Sequence, residues 1–462
     1  MRLKIIHTND IHSNFENYKK VVTLINRHKD ENTIILDGGD FADFKSIELQ
    51  GTRGIAAVEL LAAGGYDAIT IGNNEMFNGI DTLEHMASKS PIPFISNNLF
   101  KKDRSHINGV KPSVILEKNG LRILITGSSP DMGAFNEGLG IHMTAYTNAI
   151  KEEILHNKGK YDMCVLLSHV GTFADELLAE EIKEIDIIIS AHDHKLFEQA
   201  KIIGKTIMNS AGNYGEHVGI IELEILGEEL HLVHSETIST IDIDENKQIE
   251  SILKLNKEKA IDALSEPLYR IEHPLWHDVV EENPISNLIA DGLKDMLGTE
   301  IGLINSGICN AGIFHEMTQK KLIELCPSPL NPTSFEIQGK YLKKALEQSL
   351  DAQICLADGR GPGFRGRFVG RLHVSGIHIE HDGKKIHAIY INGELLEEER
   401  EYLVGSSDYL QRGSGYSCLA NNHNEKYLAE EIKDVLRLYG EKQQFCEESF
   451  IHRWKEVSIV RG

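Results

Sequence analysis

Short apolar runs recur along the first 240 residues, and amphipathic stretches separate them. The runs are Leu3–His7, Thr33–Leu36, Ala68–Ile71, Leu121–Thr126, Met163–Leu167 and Asp186–Ile189. Helical spacing of apolar residues predicts helices between them, for example over Ile55–Ala63 and Thr144–Leu155. This alternation predicts an α/β fold built on layered sheets. Two later runs, Thr206–Ser210 and Val218–Ile225, have no clear helix between them and predict an added antiparallel pair.

Polar side chains follow five of these runs, at the point where each strand is predicted to end. They are Asp10, His12, Asp40, Asn73, His169, His192 and His194. Because strand ends in an open α/β sheet converge on one rim, we expect these side chains to meet there. Any one of these histidines alone is more often structural. The repetition at five strand ends is what predicts a metal centre.

Seven nitrogen and oxygen ligands exceed what one transition metal takes. They suit two divalent cations about 3.5–4 Å apart that share a carboxylate. A mixed imidazole and carboxylate set favours Mn²⁺, Zn²⁺, Fe²⁺ or Co²⁺ over Ca²⁺. The sequence therefore predicts two divalent metal ions of this group as cofactors.

The charge balance limits the partners. The chain of 462 residues has 70 acidic and 48 basic side chains, a net charge of −22. Such a chain repels polyanions, so we expect no nucleic-acid polymer as a partner. A metal pair would supply the cationic pocket that a small phosphate compound needs.

Residues 242–265 place apolar side chains at helical spacing with polar residues around most of the circumference, which is typical of a helix between domains. The alternative is an ordinary surface helix. We therefore predict a first domain over residues 1–241, a linker helix over 242–265 and a second domain over 266–462. In the second, helices over Ser286–Leu297 and Gly339–Leu350 mix with strands, which predicts a smaller α+β domain. Alternation in the strand Phe368–Val374 predicts a solvent-facing His373.

Localisation is predicted from what the sequence lacks. No apolar run approaches the roughly 18 residues of a membrane span, and the N-terminus has no apolar core of a secretory leader. The six cysteines form no CxxC pair. These features predict a cytoplasmic protein without membrane contact.

Five motifs resemble the calcineurin-like metallophosphoesterases. The motifs are Thr8–His12, Gly39–Asp40, Gly65–Asn73, Ser168–His169 and His192–His194. More narrowly, they resemble the family of 5′-nucleotidases, UDP-sugar hydrolases and 2′,3′-cyclic phosphodiesterases. The resemblance implies a four-layer αββα domain followed by a smaller substrate-specificity domain. It also implies hydrolysis of nucleotide-type phosphate esters or anhydrides by a hydroxide that bridges two metals.

The resemblance also implies a role for each ligand. Asp40 would bridge the two metals. Asp10, His12 and His194 would hold the first metal, and Asn73, His169 and His192 the second.

The chain departs from the family at its catalytic histidine. Asn74 stands in place of that histidine, and Phe77 in place of the aspartate that orients it. Asn74 can donate a hydrogen bond to a phosphoryl oxygen but cannot protonate a leaving group, and general acid catalysis contributes about 10²–10⁴-fold. We therefore predict Asn74 as a catalytic contact and a bias towards phosphoanhydrides. The alternatives are a weakly active or non-catalytic metal-containing nucleotide-binding protein, and a structural protein whose metals serve only stability.

The second domain departs from the family in its substrate residues. Asn305 lies in a segment that resembles one of the family's motifs, and Tyr409 resembles the aromatic that stacks on the base. Asn310 stands where the family has a substrate-binding arginine, and Leu330 where it has a second stacking aromatic. A platform with one aromatic is expected to bind a base less tightly.

The loop Gly359–Arg367 offers a substitute for the missing arginine. Arginine side chains match phosphate geometry, and glycines let backbone amides approach it. We therefore predict Arg365 as a substrate contact together with Asn305 and Tyr409. The alternative is a mobile surface loop. The predicted substrate is a small nucleotide or nucleotide sugar.

Overall fold

A computed structural model describes residues 1–227 and 229–457 of the chain. The chain divides into two compact units, Met1–Ala263 and Leu264–Gly462.

Two sheets form the middle of the first unit. In spatial order, the first sheet contains Glu229–Ser239, His217–Leu226, Arg2–Thr8, Thr33–Asp37, Ala68–Thr70, Phe94–Ile95 and Val110–Lys111. The second contains Lys201–Ile203, Thr206–Asn209, Ile187–Ser190, Met163–Ser168, Leu121–Ser128 and Ser113–Lys118. A separate pair joins Leu99–Lys101 to Ile141–Met143.

The helices of this unit are Phe15–His28, Ile47–Thr52, Ile55–Gly64, Asn74–Phe77, Ile80–Lys89, Ala134–Gly138, Tyr146–His156, Thr172–Glu181 and Lys247–Leu264. Alternate residues of the central strands face two different cores. Ile5 of the first sheet and Val165 of the second lie in one core between the sheets. Ile6 faces outward against helix residues such as Tyr18, and Leu166 does so against residues such as Leu178. This arrangement is the predicted four-layer αββα architecture, which is thereby confirmed.

Burial explains why these strands are continuous apolar runs in the sequence. Every residue of Thr33–Asp37 and of Met163–Ser168 is buried, because helices cover the outer face of each sheet and the partner sheet covers the inner one.

The predicted antiparallel pair after Thr206 is wrong. Strand Thr206–Asn209 pairs with Ile187–Ser190 and Lys201–Ile203 in the second sheet. Strand His217–Leu226 pairs with Arg2–Thr8 and Glu229–Ser239 in the first. The loop between these two strands crosses from one sheet to the other. The apolar pattern of a strand does not indicate which neighbouring strand it pairs with.

Helix Lys247–Leu264 covers the stretch that the sequence predicts as a link. Its Ile249 and Ala260 side chains are buried, and Ala260 lies against Gly51, where an added Cβ would be 2.6 Å from the Ala260 Cβ. The helix therefore packs within the first unit, and the division falls at its last residue.

The second unit is built on a five-stranded and a four-stranded sheet. The five strands are, in order, Leu372–Ser375, Ile301–Asn305, Glu401–Ser407, Pro332–Gln338 and Asn422–Tyr427. The four are Glu394–Leu395, Ile386–Ile391, Ile377–His381 and Trp454–Glu456, and Pro267–Arg270 pairs with Glu316–Thr318. The helices are Pro284–Leu297, Gln319–Leu325, Gly339–Gln348, Ala352–Cys355, Asp408–Gln411, Ile432–Tyr439 and Gln443–Glu448, with 3₁₀ turns at Ser306–Ile308 and Ser417–Ala420.

The predicted exposure of His373 is wrong, because its side chain is fully buried. Its Nε2 accepts hydrogen bonds from the backbone N–H and the side-chain amide of Asn283, at 3.1 and 3.0 Å. Asn283 caps helix Pro284–Leu297, which packs against the strand Leu372–Ser375. Alternation of polar and apolar residues identifies the two faces of a strand but not what covers them. Here a neighbouring helix covers the face predicted to be exposed to solvent.

Within the described parts of the chain, no helix combines the length and the apolar composition needed to cross a membrane.

Candidate metal centre

The carboxyl ends of the central strands lie level in each sheet. Thr8 pairs with Asp37 at the end of two parallel strands of the first sheet, and Ser168 pairs with Ser190 in the second. The predicted ligands follow directly after these ends. The first sheet supplies Asp10, His12, Asp40 and Asn73, and the second supplies His169, His192 and His194. The site therefore draws on two sheets rather than on the single rim that the sequence suggests.

Five of the seven predicted ligands have left-handed backbone conformations. Their φ values are 51° for Asp10, 48° for His12, 56° for Asp40, 84° for His192 and 57° for His194. Such conformations are uncommon for residues other than glycine and cluster at functional sites. In this protein they occur where the chain leaves a strand and places a side chain at the rim.

Three side chains form the first group of potential ligands. The Nε2 atoms of His12 and His194 lie 3.0 Å apart. Asp10 Oδ1 lies 3.8 Å from the first of these nitrogens and 3.5 Å from the second. The three ligand atoms are close enough to bind one cation.

A second group of side chains lies beside the first. Asp40 Oδ2 is 3.3 Å from His169 Nε2. Asn73 Oδ1 is 3.0 Å from His192 Nδ1. Each distance suits two donor atoms that share one metal ion.

Asp40 contacts both groups. Its Oδ2 lies 3.7 Å from His12 Nε2 as well as 3.3 Å from His169 Nε2. A carboxylate in this place fits the bridging position between two cations. The structure thus brings together all seven predicted metal-binding residues.

The protonation chemistry of the site favours positive charge at its centre. His169 Nδ1 lies 2.7 Å from the carbonyl oxygen of Gly38, to which it can donate, and the buried Nε2 faces Asp40 Oδ2. Burial alone would lower the pKa of His169, but Asp40 and Asp10 raise it. Burial would likewise raise the pKa of Asp40, whereas His169 and His12 lower it. A divalent cation would supply the same positive charge, so the residues present fit a metal.

Glycines allow the close approach of the strand ends. An added Cβ at Gly72 would lie only 2.1 Å from Asp40 Oδ1. At Gly39, where φ is +92°, it would lie 2.8 Å from His169 Nδ1. Any larger side chain at either position would displace a potential ligand.

The two units match two family models. Residues 3–196 match the calcineurin-like phosphoesterases, and residues 264–421 match the 5′-nucleotidase C-terminal domain. The uncharacterized metallophosphoesterase YunD of Bacillus subtilis (strain 168) is 30% identical over 458 residues, which cover 94% of this chain and 98% of that protein. The chain belongs to the calcineurin-like metallophosphoesterases of the 5′-nucleotidase family.

Solved structures share the fold of this metallophosphoesterase. The NAD nucleotidase of Haemophilus influenzae has a TM-score of 0.69 at 16% identity, with 99% of this chain and 98% of that chain covered. A putative 5′-nucleotidase of Staphylococcus aureus, in complex with α-ketoglutarate, has a TM-score of 0.65 at 16% identity, with 99% and 100% covered. The family assignment makes this chain a phosphoesterase-type hydrolase, and calcineurin-like metallophosphoesterases bind a dinuclear metal site.

Sequence reasoning does not identify Glu75 as part of the site. Its Oε2 accepts from the backbone N–H groups of Gly72 and Asp40, at 2.8 and 3.1 Å, and its Oε1 accepts from Ala42 at 2.8 Å. Burial and the adjacent Asp40 raise its pKa to about 7. Glu75 thereby joins two of the loops that carry ligands. The available sequence signal is an acidic residue two positions after the predicted ligand Asn73.

Asn9 and Asp43 also support the site, although nothing in the sequence assigns them this role. The Asn9 amide donates to Asp10 Oδ2 at 2.8 Å and to the carbonyl of Gly212 at 2.6 Å. The buried Asp43 carboxylate lies 4.0 Å from His12 Nδ1, on the side of the ring away from the other ligands. Such contacts orient metal-binding side chains.

Asn74 lies at the start of helix Asn74–Phe77 and is buried. Its backbone N–H donates to Asp40 Oδ1 at 2.8 Å and its side-chain amide to Asp40 Oδ2 at 2.6 Å. Phe77 packs edge-to-face against Phe135, with ring centroids 5.4 Å apart. The Asn74 amide thus contacts a potential metal ligand directly.

The predicted substrate residues of the second unit differ in how deeply they are buried. Asn305 is fully buried, and its amide donates to the carbonyl of Val369 at 2.5 Å. Arg365 is half-buried, and its backbone N–H donates to Ser328 Oγ at 2.9 Å. These contacts anchor the loop that carries Arg365 at its backbone.

Tyr409 is fully buried, and its ring stacks on Phe364 with centroids 4.3 Å apart and planes 23° apart. Phe364 belongs to the arginine-containing loop Gly359–Arg367. Stacking of a base on Tyr409 would therefore require Phe364 to move.

Proposed function

We propose that this metallophosphoesterase hydrolyses phosphoanhydride bonds of small nucleotide-type compounds, such as nucleotide sugars, in preference to phosphate monoesters. One observation carries the proposal. The position of the family's catalytic histidine holds Asn74, whose amide is bound to Asp40 and has no titratable proton. A phosphate leaving group needs little protonation, whereas a nucleoside alkoxide needs a general acid.

The potential ligands described above would hold two divalent cations of the Mn, Zn, Fe or Co group. When bound, such a pair lowers the pKa of a water and stabilises charge that develops on the phosphoryl oxygens. Asp40 would bridge the pair, with Asp10, His12 and His194 on one side and Asn73, His169 and His192 on the other.

The residues of the chain then have defined tasks. Glu75 and Asn9 hold the loops that carry Asp40 and Asp10. Asn74 fixes the orientation of the Asp40 carboxylate and presents an amide next to the phosphoryl group. In the second unit, we propose that Asn305, Arg365 and Tyr409 contribute to substrate selection.

A metal-containing nucleotide-binding protein with little or no turnover is the second candidate. Asn74 favours this candidate. Its amide cannot protonate a leaving group, and it already donates a hydrogen bond to Asp40. The third possibility, metals that serve stability only, predicts neither turnover nor nucleotide binding.

A substrate panel separates these functions. The purified full chain, reloaded with Mn²⁺, is assayed with bis(p-nitrophenyl) phosphate, UDP-glucose and AMP. We expect kcat/KM for UDP-glucose to exceed that for AMP at least tenfold. Faster hydrolysis of AMP would contradict the anhydride preference. Nucleotide binding without turnover of any of the three would identify the second candidate instead.

A further inference from the structure

A lysine and a tyrosine lie at the edge of the candidate metal centre, and the predicted chemistry does not use them. The Tyr214 ring centroid lies 5.5 Å from that of His12 and 6.1 Å from that of His194. Lys45 Nζ lies 5.7 Å from the centroid of the same tyrosine ring. We name Lys45 and Tyr214 the rim pair.

The conformation of Tyr214 is unusual for an aromatic residue. Its φ is 55°, and the residue is 38% exposed. Its backbone N–H donates to the carbonyl oxygen of Asp10 at 2.7 Å. A left-handed, partly exposed tyrosine is thus fixed beside the first group of ligands, and its strained backbone is of the kind retained at functional sites.

Asp43 fixes the position of Lys45. Its Oδ1 accepts from the backbone N–H of Lys45 at 3.0 Å, and its Oδ2 lies 3.3 Å from Lys45 Nζ. The Lys45 side chain is still 36% exposed. A lysine ammonium has three donors, so it can bind Asp43 on one side and an anion on the other.

A groove of about 380 Å³ leads away from Lys45. Ser13, which follows the potential ligand His12, also lines this groove. Lys254 and Lys257 of helix Lys247–Leu264 also line it, and both are exposed. In the described parts of the chain, neither of these two lysines has an ion-pair partner.

The acidic residues that line the groove are engaged by other groups. Glu16 lies 2.7 Å from Lys19, Glu250 lies 2.9 Å from Lys247, and Glu48 accepts from Ser46 Oγ at 2.7 Å. Among the described residues, Lys254 and Lys257 line the groove without such a partner. Lys45 lines the same groove. Four lysines and three glutamates line the groove, so in a chain of net charge −22 its lining is locally cationic and favours a bound anion.

We propose that the rim pair and the groove form a subsite for the second phosphate of a phosphoanhydride substrate. This inference rests on the proposed function. In that reaction a water oxygen bonds to the first phosphorus while the P–O bond to the bridging oxygen breaks. The electron pair stays on the bridging oxygen, which leaves with the second phosphate, and the proton lost by the water passes to the solvent. Lys45 stabilises the charge on that leaving phosphate, which compensates for the missing proton donor at Asn74.

Binding of a non-hydrolysable compound tests the subsite without turnover. The Mn²⁺-loaded full chain is titrated with AMP and with α,β-methylene-ADP. In the latter a CH₂ group replaces the oxygen that bridges the two phosphorus atoms. We expect Lys45→Met to raise the Kd for α,β-methylene-ADP about tenfold and to change the Kd for AMP less than twofold. Lys45→Arg, which keeps the charge, should retain most of the affinity. Lys158→Met changes an exposed lysine that does not line the groove and serves as the matched control.

An equal effect of Lys45→Met on both compounds, or no effect on either, would overturn the proposal. If Lys45→Met loses metal, the double variant Lys254→Met/Lys257→Met decides, since both residues lie on an exposed helix face. A selective loss of threefold or more for α,β-methylene-ADP supports the subsite, and any smaller or unselective effect overturns it. Because these measurements need no catalysis, they are independent of the substrate panel.

Discussion

Asn74 donates two hydrogen bonds to the carboxylate of Asp40, one from its backbone at 2.8 Å and one from its side chain at 2.6 Å. The residue at the position where the resemblance implies a catalytic histidine is therefore attached to a carboxylate that reaches both groups of potential ligands. This relationship connects the geometry of the centre with its expected choice of leaving group.

Replacing Asn74 by histidine should restore a proton donor. We expect Asn74→His to increase kcat/KM for AMP at least tenfold, because general acid catalysis assists an alkoxide leaving group. Hydrolysis of UDP-glucose should change less. Steady-state kinetics of the Mn²⁺-loaded variant measure both effects.

Asn74→Ala is the matched control for this change. It removes the side-chain donor to Asp40 and supplies no acid, so activity on both substrates should fall. An equal gain for Asn74→Ala and Asn74→His would show that a proton donor is not what the site lacks.

His169 should be required for one of two metal ions. Its Nε2 is buried and lies 3.3 Å from Asp40 Oδ2. We expect His169→Asn to lower the metal content from about two to about one ion per chain, as measured by elemental analysis after reloading with Mn²⁺. His156→Asn, at an exposed helix end, should keep the full content. Two ions per chain in His169→Asn would contradict its role as a ligand.

Glu75 should matter for stability and for metal affinity. Its carboxylate accepts three backbone N–H groups in a buried site. In Glu75→Gln an NH₂ group would face at least one of those donors, so we expect a loss of about 2–4 kcal/mol in the free energy of unfolding. Metal affinity should fall about 10–100-fold. Urea unfolding and metal titration measure these changes, with the exposed Glu152→Gln as control. Unchanged unfolding would exclude the supporting role.

His373 should make the protein less stable in acid. Burial lowers its pKa to about 3 from an ordinary value of 6.5, and its Nε2 accepts from Asn283. Below pH 6.5 the unfolded chain binds a proton that the folded chain excludes, so stability falls as the pH falls from about 6.5 to about 3. At pH 5 this single group lowers the free energy of unfolding by about 2 kcal/mol.

The variant His373→Gln should remove this part of the pH dependence. Urea unfolding at pH 7.5 and pH 5.0 should show a drop in stability that is smaller than in the wild type by about 2 kcal/mol. His7, whose pKa burial also lowers to about 3, leaves a remaining drop. The exposed His156→Gln should behave as the wild type, and an identical drop in His373→Gln would refute the assignment.

Arg365 should influence substrate binding if its loop contacts phosphate. We expect Arg365→Glu to raise KM for UDP-glucose severalfold through charge repulsion, with kcat changed less. Arg360→Glu, in the same loop but beside Asp358, is the control. An unchanged KM in Arg365→Glu would leave the loop without a role in phosphate binding.

Local patterns in the sequence suffice to predict the α/β fold class and the candidate metal ligands. Both follow from local rules, because a buried strand needs a continuous apolar run and a rim residue must directly follow a strand end. Asp10 and His12 are recognisable for this reason without any knowledge of the strands beside them.

The origin and support of these residues depend on packing in three dimensions. Two sheets supply the centre, Glu75 joins its loops, Asn74 is bound to Asp40, and His373 and Tyr409 are buried. Each of these facts depends on contacts between residues far apart in the chain. A pattern along one segment cannot contain them, because the partner atoms are positioned only when the sheets and helices pack.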